Sequence, residues 1–135
     1  SKLLYMSGMK RVVKKPNVIV LDLCGPICTS DFLGDSEVMK KFMLINMNQF
    51  VEEFWHKRQM RLTMNFLRLE ESDKNLVNPE APKLVRKDIP DDIQRDSAIK
   101  LLRWLIENNP QSPALAFFQL HIREWGYDND MIIAQ

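Results

Sequence analysis

Asp22 is the residue of this chain best placed to do chemistry. It follows the apolar run Val18–Leu21, whose continuous and mostly β-branched sequence predicts a strand buried on both faces. A carboxylate at the end of such a strand, with Gly25 three residues later, is typical of a turn that binds phosphate. An aspartate there can act as a nucleophile, and it can equally cap the following turn.

The cysteines and histidines form no recognisable metal site. Cys24 and Cys28 lie four residues apart without a second pair or a nearby histidine, which predicts neither a zinc site nor a disulfide framework. His56 and His121 fall on different predicted helices, and neither has a metal-binding partner four residues away. We therefore expect structural roles for these side chains and no bound metal.

A group of acidic residues also needs an explanation. Asp91, Asp92 and Asp96 lie near the start of a predicted helix. Carboxylates in the first turn interact favourably with the positive end of a helix, which accounts for Asp91 and Asp92 without a metal ion.

The composition is that of a globular protein. Of the 135 residues, 45% are hydrophobic and 27% are charged, and the net charge of +1 argues against a dominant surface for nucleic acid or membrane. The apolar runs are too short to span a bilayer, and the first residues lack the apolar core of a secretory signal. We expect an intracellular protein, cytoplasmic or nuclear, without a membrane partner.

Residues 1–17 form a basic leader. Five lysines and arginines and no acid stand between Lys2 and Lys15, and Pro16 closes the segment. A solvated tail, a nuclear signal and a contact with nucleic acid are all compatible with such a run, and we favour the tail. Because the chain begins at Ser1 rather than Met, we expect it to be a segment of a longer protein.

Beyond Gly34 the hydrophobic pattern changes to helical spacing and predicts four helices. A polar loop with Pro79 and Pro82 separates the second from the third. The predicted helices run from a cap at Asp35 or Ser36 to about Lys57, from Gln59 to Glu71, from Pro90 to Asn108, and from Ser112-Pro113 to a stop at Gly126.

Each predicted helix has an apolar face. We expect the methionines at helical spacing to be core residues rather than a binding groove. The faces comprise Met39, Met43, Met47, Phe50 and Phe54 in the first helix; Met60, Thr63, Met64, Phe66 and Leu67 in the second; Ile93, Ile99, Leu102, Leu105 and Ile106 in the third; and Leu115, Phe118, Ile122 and Trp125 in the fourth.

The predicted strand needs a neighbour that the rest of the sequence does not clearly supply. Leu84-Val85 is short, and Met131-Ile132-Ile133 lies at the very end. The strand therefore pairs either with a weak segment of its own chain or with another molecule.

The first motif resembles that of a known family. The run Val18–Leu21 with Asp22 and Gly25, followed by a long helix, is similar to the first motif of haloacid-dehalogenase (HAD)-like phosphatases. The particular resemblance is to the enolase-phosphatases of methionine salvage, whose motif is D-x-E-G-T-T. The residues from Ala114 to Tyr127 resemble the last cap helix of that family, and the order of the helices is similar to its cap.

The resemblance implies catalytic roles that this chain fills only in part. In the family an aspartate attacks phosphorus, an acid two residues later protonates the leaving oxygen, and Mg²⁺ neutralises the phosphate. Asp22 matches the nucleophile, but Cys24 replaces the acid, and Pro26 replaces a threonine and removes a backbone N–H. The family's later motifs would lie beyond Tyr127. We therefore expect a pseudoenzyme with a vestigial Asp22, no catalytic residue and no cofactor.

These observations predict a mainly α fold in which one N-terminal strand precedes a four-helix bundle resembling the cap of a HAD-like phosphatase. Residues 18–135 are expected to form a single helical domain.

The predicted function is a non-catalytic adaptor that binds another protein, a larger subunit of a complex. Adjacent aromatic residues point large rings about 100° apart around a helix, so a four-helix cap leaves one side uncovered. The alternative is the N-terminal part of an active Mg²⁺-dependent enolase-phosphatase, and a weaker one is nucleic-acid binding through the leader. The residues predicted to bind the partner are Val18, Val20, Phe54, Trp55, Phe117, Phe118 and Trp125.

Overall fold

Helices make up most of the structure, a computed structural model that describes residues 19–21 and 37–134 and the side chains of residues 37–131. The mainly helical class predicted from the sequence is confirmed. The helices are α1 (Glu37–Phe54), α2 (Arg58–Ser72), α3 (Asp91–Asn108) and α4 (Pro113–Asp128), and the strands are β1 (Ile19–Leu21) and β2 (Ile132–Ala134).

The two strands form a parallel pair. Ile19 lies opposite Ile132, and Leu21 lies opposite Ala134. The pairing partner is thus a segment of the same chain, at the position where the sequence shows only a weak strand. The basic leader and residues 22–36, with Asp22, Cys24 and Cys28, lie outside the described residues.

The chain divides into two compact units. Of the described residues, one unit comprises 19–21, 37–46 and 121–134, and the other comprises 47–120. α1 and α4 each contribute residues to both units. The prediction of a single domain over residues 18–135 stays a prediction.

Aromatic contacts organise the core of the 47–120 unit. Phe50 stacks on Phe54 with ring centroids 4.5 Å apart, and the edge of Phe118 meets Phe50 at 5.4 Å. α1 ends at Phe54 rather than near Lys57, so Trp55 lies in the turn before α2, where it is 1% exposed. The buried apolar residues of the unit are Met47, Phe50, Val51, Trp55, Met60, Met64, Leu67, Leu84, Ala98, Leu101, Leu102, Leu105, Ile106, Ala114, Leu115 and Phe118.

The helix faces agree with the sequence pattern except at four residues, of which Phe54 and Ile99 are partly buried. Phe66 is 39% exposed and Ile93 is 47% exposed, so their prediction as core residues was wrong. Phe66 lies next to Leu67, about 100° around α2 from the buried stripe, and Ile93 is similarly displaced from the stripe of α3. The predicted core methionines are confirmed as buried, as is the predicted face of α4: Met39, Met43, Met47, Met60, Met64, Leu115, Phe118, Ile122 and Trp125.

α4 continues past Gly126, where the sequence predicted its end. The N–H of Met131 donates to the carbonyl of Gly126 at 2.7 Å, and the N–H of Asp130 donates to that of Tyr127 at 3.2 Å. These two bonds define a Schellman motif, whose left-handed residue is Asp130 with φ of 56°. The residue that terminates α4 is therefore Asp130, four residues after Gly126, the glycine predicted to end the helix.

The conformation of Asp130 makes its replacement a test of this helix end. Asp130→Gly should raise the free energy of unfolding by about 1 kcal/mol, because glycine adopts positive φ without the steric cost of a Cβ. Asp130→Ala should lower it, because alanine keeps the Cβ and loses the local hydrogen bonding of the carboxylate. Urea denaturation of the native chain and both variants measures the difference, and equal effects of the two variants would contradict the prediction.

Candidate protein-binding surface

An aromatic pair joins α2 and α4 at the surface of the 47–120 unit. The rings of Phe66 and Phe117 meet edge to face, with centroids 5.0 Å apart and an interplanar angle of 65°. Phe66 is 39% exposed and Phe117 is partly buried. Such a contact contributes about 0.5–1.5 kcal/mol beyond the burial of area. The pair therefore stabilises the two helices side by side while leaving aromatic surface in solvent.

Two exposed leucines extend this surface along both helices. Leu69 follows Phe66 by three residues, and Leu120 follows Phe117 by three, so each leucine lies on the same helix face as the ring before it. Leu69 is 63% exposed and Leu120 is 47% exposed. Apolar side chains grouped in this way at a surface are common in interaction sites.

Charged residues are scarce at this surface. From Pro113 to Leu120, α4 has no Asp, Glu, Lys or Arg, although these make up 27% of the chain. On α2, Leu62, Asn65 and Leu69 on the side of Phe66 are uncharged, and Glu70, one turn after Phe66, has its carboxylate bound to Ser112 and Ala114. Interface cores are depleted in charge and enriched in aromatic residues in the same way. We name this surface the neutral face; its residues are Leu62, Asn65, Phe66, Leu69, Pro113, Ala116, Phe117 and Leu120.

The neutral face depends on a carboxylate that ties α2 to α4. Glu70 Oε1 accepts a hydrogen bond from Ser112 Oγ at 2.7 Å, and Oε2 accepts one from the N–H of Ala114. First-turn N–H groups have no partner within their own helix, so Glu70 caps α4 from a distance. Because Glu70 contacts the start of α4 while Phe66, one turn earlier, contacts Phe117, the two helices run antiparallel.

The residues predicted to bind a partner are distributed differently. Trp55 is 1% exposed, Phe118 is 0% and Trp125 is 6%, and burial does not favour them as anchors. Phe54 is partly buried, while Phe117 belongs to the neutral face. The remaining two are Val20, which lies in β1, and Val18, which lies outside the described residues. Partner binding by these residues stays a prediction.

Arg61 holds Trp55 in the turn between α1 and α2. Its guanidinium carbon lies 4.3 Å from the centroid of the indole ring, and its Nε donates to the carbonyl of Trp55 at 2.9 Å. Burial lowers the pKa of Arg61 below its ordinary value, and the nearby charge of Asp91 opposes this effect. An arginine side chain is charged at neutral pH, and the cation–π contact of Arg61 fixes the turn.

The side chains near this turn do not form a metal site. His56 Nε2 lies 3.5 Å from a carboxylate oxygen of Asp91, and both side chains are well exposed. Asp91 and Asp92 occupy the first turn of α3, where carboxylates are favourable. Among the residues that the structure describes, no three His, Cys, Asp or Glu side chains come together to hold a metal ion.

An open cleft lies between the end of α2, the following loop and the end of α3. The volume of the cleft, including the open space at its mouth, is about 400 Å³. Apolar residues such as Leu101 and Leu105 line it. Its two glutamates serve the fold, because Glu70 caps α4 and Glu71 Oε2 accepts from the N–H of Leu84 at 2.9 Å. Both carboxylates of the cleft thus have structural roles.

Comparison with known proteins leaves the chain without a family. The sequence matches no protein-family model and no curated protein, and the fold matches no solved structure. Within the described ranges, no helix is long and apolar enough to cross a membrane. A function must therefore be inferred from the surface itself.

Sequence reasoning missed Phe66, Leu69 and Leu120 as surface residues. Selecting anchors among the large aromatic rings included Trp55, Phe118 and Trp125, which are covered by the chain itself. The signal that could have found the neutral face was the uncharged stretch from Pro113 to Leu120. On an exposed helix face, eight consecutive positions without charge are unusual.

The cap on α4 can be tested by substitution. Glu70→Ala should lower the free energy of unfolding by about 1–2 kcal/mol, because the N–H of Ala114 loses its acceptor. Thermal or urea denaturation measures the change, and Glu52→Ala is the matched control on an exposed position of α1. A loss no larger than that of the control would contradict the capping role.

Tyr127 predicts a pH dependence of stability. Its hydroxyl is buried without a hydrogen-bond partner among the described residues, and burial raises its pKa from 10.0 to about 12 although Arg123 opposes the shift. The folded chain therefore holds this proton more tightly than the unfolded chain does. Stability should be unaffected below pH 10 and should fall as the pH rises from 10 to about 12.

Ultraviolet absorbance of the phenolate measures this titration. In a Tyr5→Phe chain, which retains only one tyrosine, the midpoint should lie near 12 in the folded state and near 10 in denaturant. The Tyr127→Phe chain should lose the alkaline fall in stability. A folded-state midpoint at the ordinary value would show that the hydroxyl is solvated.

Proposed function

We propose that this chain is a non-catalytic protein-binding module that docks on a larger protein through the neutral face. The observation that carries the proposal is an exposed, uncharged surface built around the Phe66–Phe117 pair. Aromatic side chains surrounded by aliphatic ones supply much of the binding energy in protein interfaces. The cap from Glu70 holds both helices of this surface in place before any partner binds.

The proposal includes descent from a HAD-like phosphatase that has lost catalysis. Its support is the similarity of the segment around Asp22 and Gly25 to the first motif of the enolase-phosphatases. Cys24 in the position of the acid and Pro26 in the position of a phosphate-binding threonine both weaken that chemistry. A module of this kind keeps a helical scaffold and uses its surface for binding.

The test is capture of a partner by matched chains. The tagged native chain and the Leu69→Lys and Leu120→Lys variants are incubated with extract of the source cells and washed at high salt. We expect one stoichiometric protein on the native chain and its loss from both variants, because a buried, unpaired lysine is costly at an apolar interface. Ile93→Lys is the matched control, since Ile93 is as exposed as Leu120 and lies on α3, outside the neutral face.

Two outcomes would contradict this function. Equal retention of the protein by all four chains would show that the neutral face is not the docking surface. No retained protein would leave the native chain without the proposed activity. Circular dichroism of each variant verifies that the helices are intact, as expected for substitutions at exposed positions.

A second candidate is the N-terminal part of a Mg²⁺-dependent phosphatase. One observation favours it: β1 ends one residue before Asp22 and pairs in parallel with β2, and the four helices lie between these strands in the chain. Parallel strands place their carboxyl ends, and any catalytic residue that follows, at the same edge of a sheet. Mg²⁺-dependent release of phosphate from an enol phosphate, lost in an Asp22→Asn variant, would favour this candidate over the adaptor.

A further inference from the structure

The size of the neutral face limits what can occupy it. α2 has 15 residues and is therefore about 22 Å long at 1.5 Å per residue. Neighbouring helices lie about 8–10 Å apart, so the face between the axes of α2 and α4 covers roughly 200 Å². A stable dimer buries about 800 Å² on each partner. The face is thus too small to hold a second copy of the chain by itself, and its length and width fit one helix.

The absence of charge defines the chemistry of that helix. A charged side chain brought against Phe66 or Leu69 would lose its water without gaining a partner, at a high cost in free energy. The occupant must therefore present an uncharged stripe. Aliphatic or aromatic residues at positions i, i+3 or i+4, and i+7 of an amphipathic helix supply one.

The charges at the ends of α2 indicate in which direction the incoming helix lies on the neutral face. Arg58 stands in the first turn and Asp73 directly follows the last, and both are exposed on the side of the neutral face. Both charges oppose the helix dipole of α2, which disfavours cations at the N-terminus and anions at the C-terminus. Other charges placed against the dipole have internal partners, since Arg61 stacks on Trp55 and Glu70 caps α4.

The guanidinium of Arg58 has no such internal partner among the described residues. An acidic residue of an incoming helix would pair with Arg58, and a basic residue would pair with Asp73. The Oδ1 atom of Asp73 also accepts a hydrogen bond from the N–H of Asn75 at 2.8 Å. Acids are favourable in the first turn of a helix and bases in the last turn. A helix parallel to α2 satisfies both preferences together.

We propose that one amphipathic helix of a partner protein occupies the neutral face, parallel to α2, with an acidic first turn against Arg58 and a basic last turn against Asp73. This inference rests on the proposed function and specifies its partner. The neutral stripe supplies the contact area, and the two end charges set the direction.

Three labelled peptides of 18 residues test the inference against the native 135-residue chain by fluorescence anisotropy. Peptide A has leucines at i, i+3, i+4 and i+7 repeats, glutamates in its first turn and lysines in its last. Peptide B exchanges the two ends, and peptide C has the composition of A with the leucines spread around the helix. We expect A to bind, B to bind about threefold to tenfold more weakly, and C to show no saturable binding.

Variants of the chain locate the binding. Leu69→Lys and Leu120→Lys should weaken binding of peptide A by about tenfold or more, and Ile93→Lys should leave it unchanged. Arg58→Glu, an exposed substitution that removes no internal contact, should reverse the preference so that B binds better than A. Equal binding of A and C, or no effect of Leu69→Lys, would overturn the inference, and an unchanged preference in Arg58→Glu would overturn the direction.

The inference and the proposed function fail differently. Loss of the captured cellular protein in Leu69→Lys, together with no binding of peptide A to the native chain, would refute a helical occupant while keeping the protein-binding function. A dimer of the native chain in sedimentation equilibrium that Leu69→Lys dissociates would identify a second copy as the occupant and refute the inference.

Discussion

The carboxylate of Glu70 is the contact on which the surface of the 47–120 unit depends. It stands in the last turn of α2, where the helix dipole disfavours negative charge. The hydroxyl of Ser112 and the N–H of Ala114 compensate this cost, because the start of α4 requires acceptors that its own backbone does not supply. The last turn of α2, where Glu70 is unfavourable, thus stabilises the first turn of α4. The resulting alignment of the two helices places Phe66 against Phe117.

Local patterns in the sequence predicted the helices because each helix buries a stripe with a period of 3.6 residues. Prolines and acidic residues marked the start of α3, which begins at Asp91, one residue after Pro90. The same pattern failed for Phe66, since apolar character alone does not distinguish a buried stripe from an exposed face 100° away. The end of α4 was also missed, because Asp130 adopts the left-handed conformation usually taken by glycine.

The candidate site was harder to predict because it arises from contacts between distant residues. Glu70 and Ser112 are 42 residues apart, and neither has a local sequence signal for the other. Trp55 suggested an anchor by its size, yet the end of α1 at Phe54 moves it into a turn, where Arg61 covers it. A large ring therefore indicated a core residue at Trp55, while the uncharged segment from Pro113 to Leu120 indicated the neutral face.

The uncharged segment from Pro113 to Leu120 also affects the chain before it folds. Charges normally keep exposed hydrophobic segments of different molecules apart, and this segment, with Phe117-Phe118 in it, has none. Pro113 removes one backbone N–H from its start and so hinders pairing with a second strand. Protection of this segment from aggregation then depends on the formation of α4, which buries Phe118 and part of Phe117.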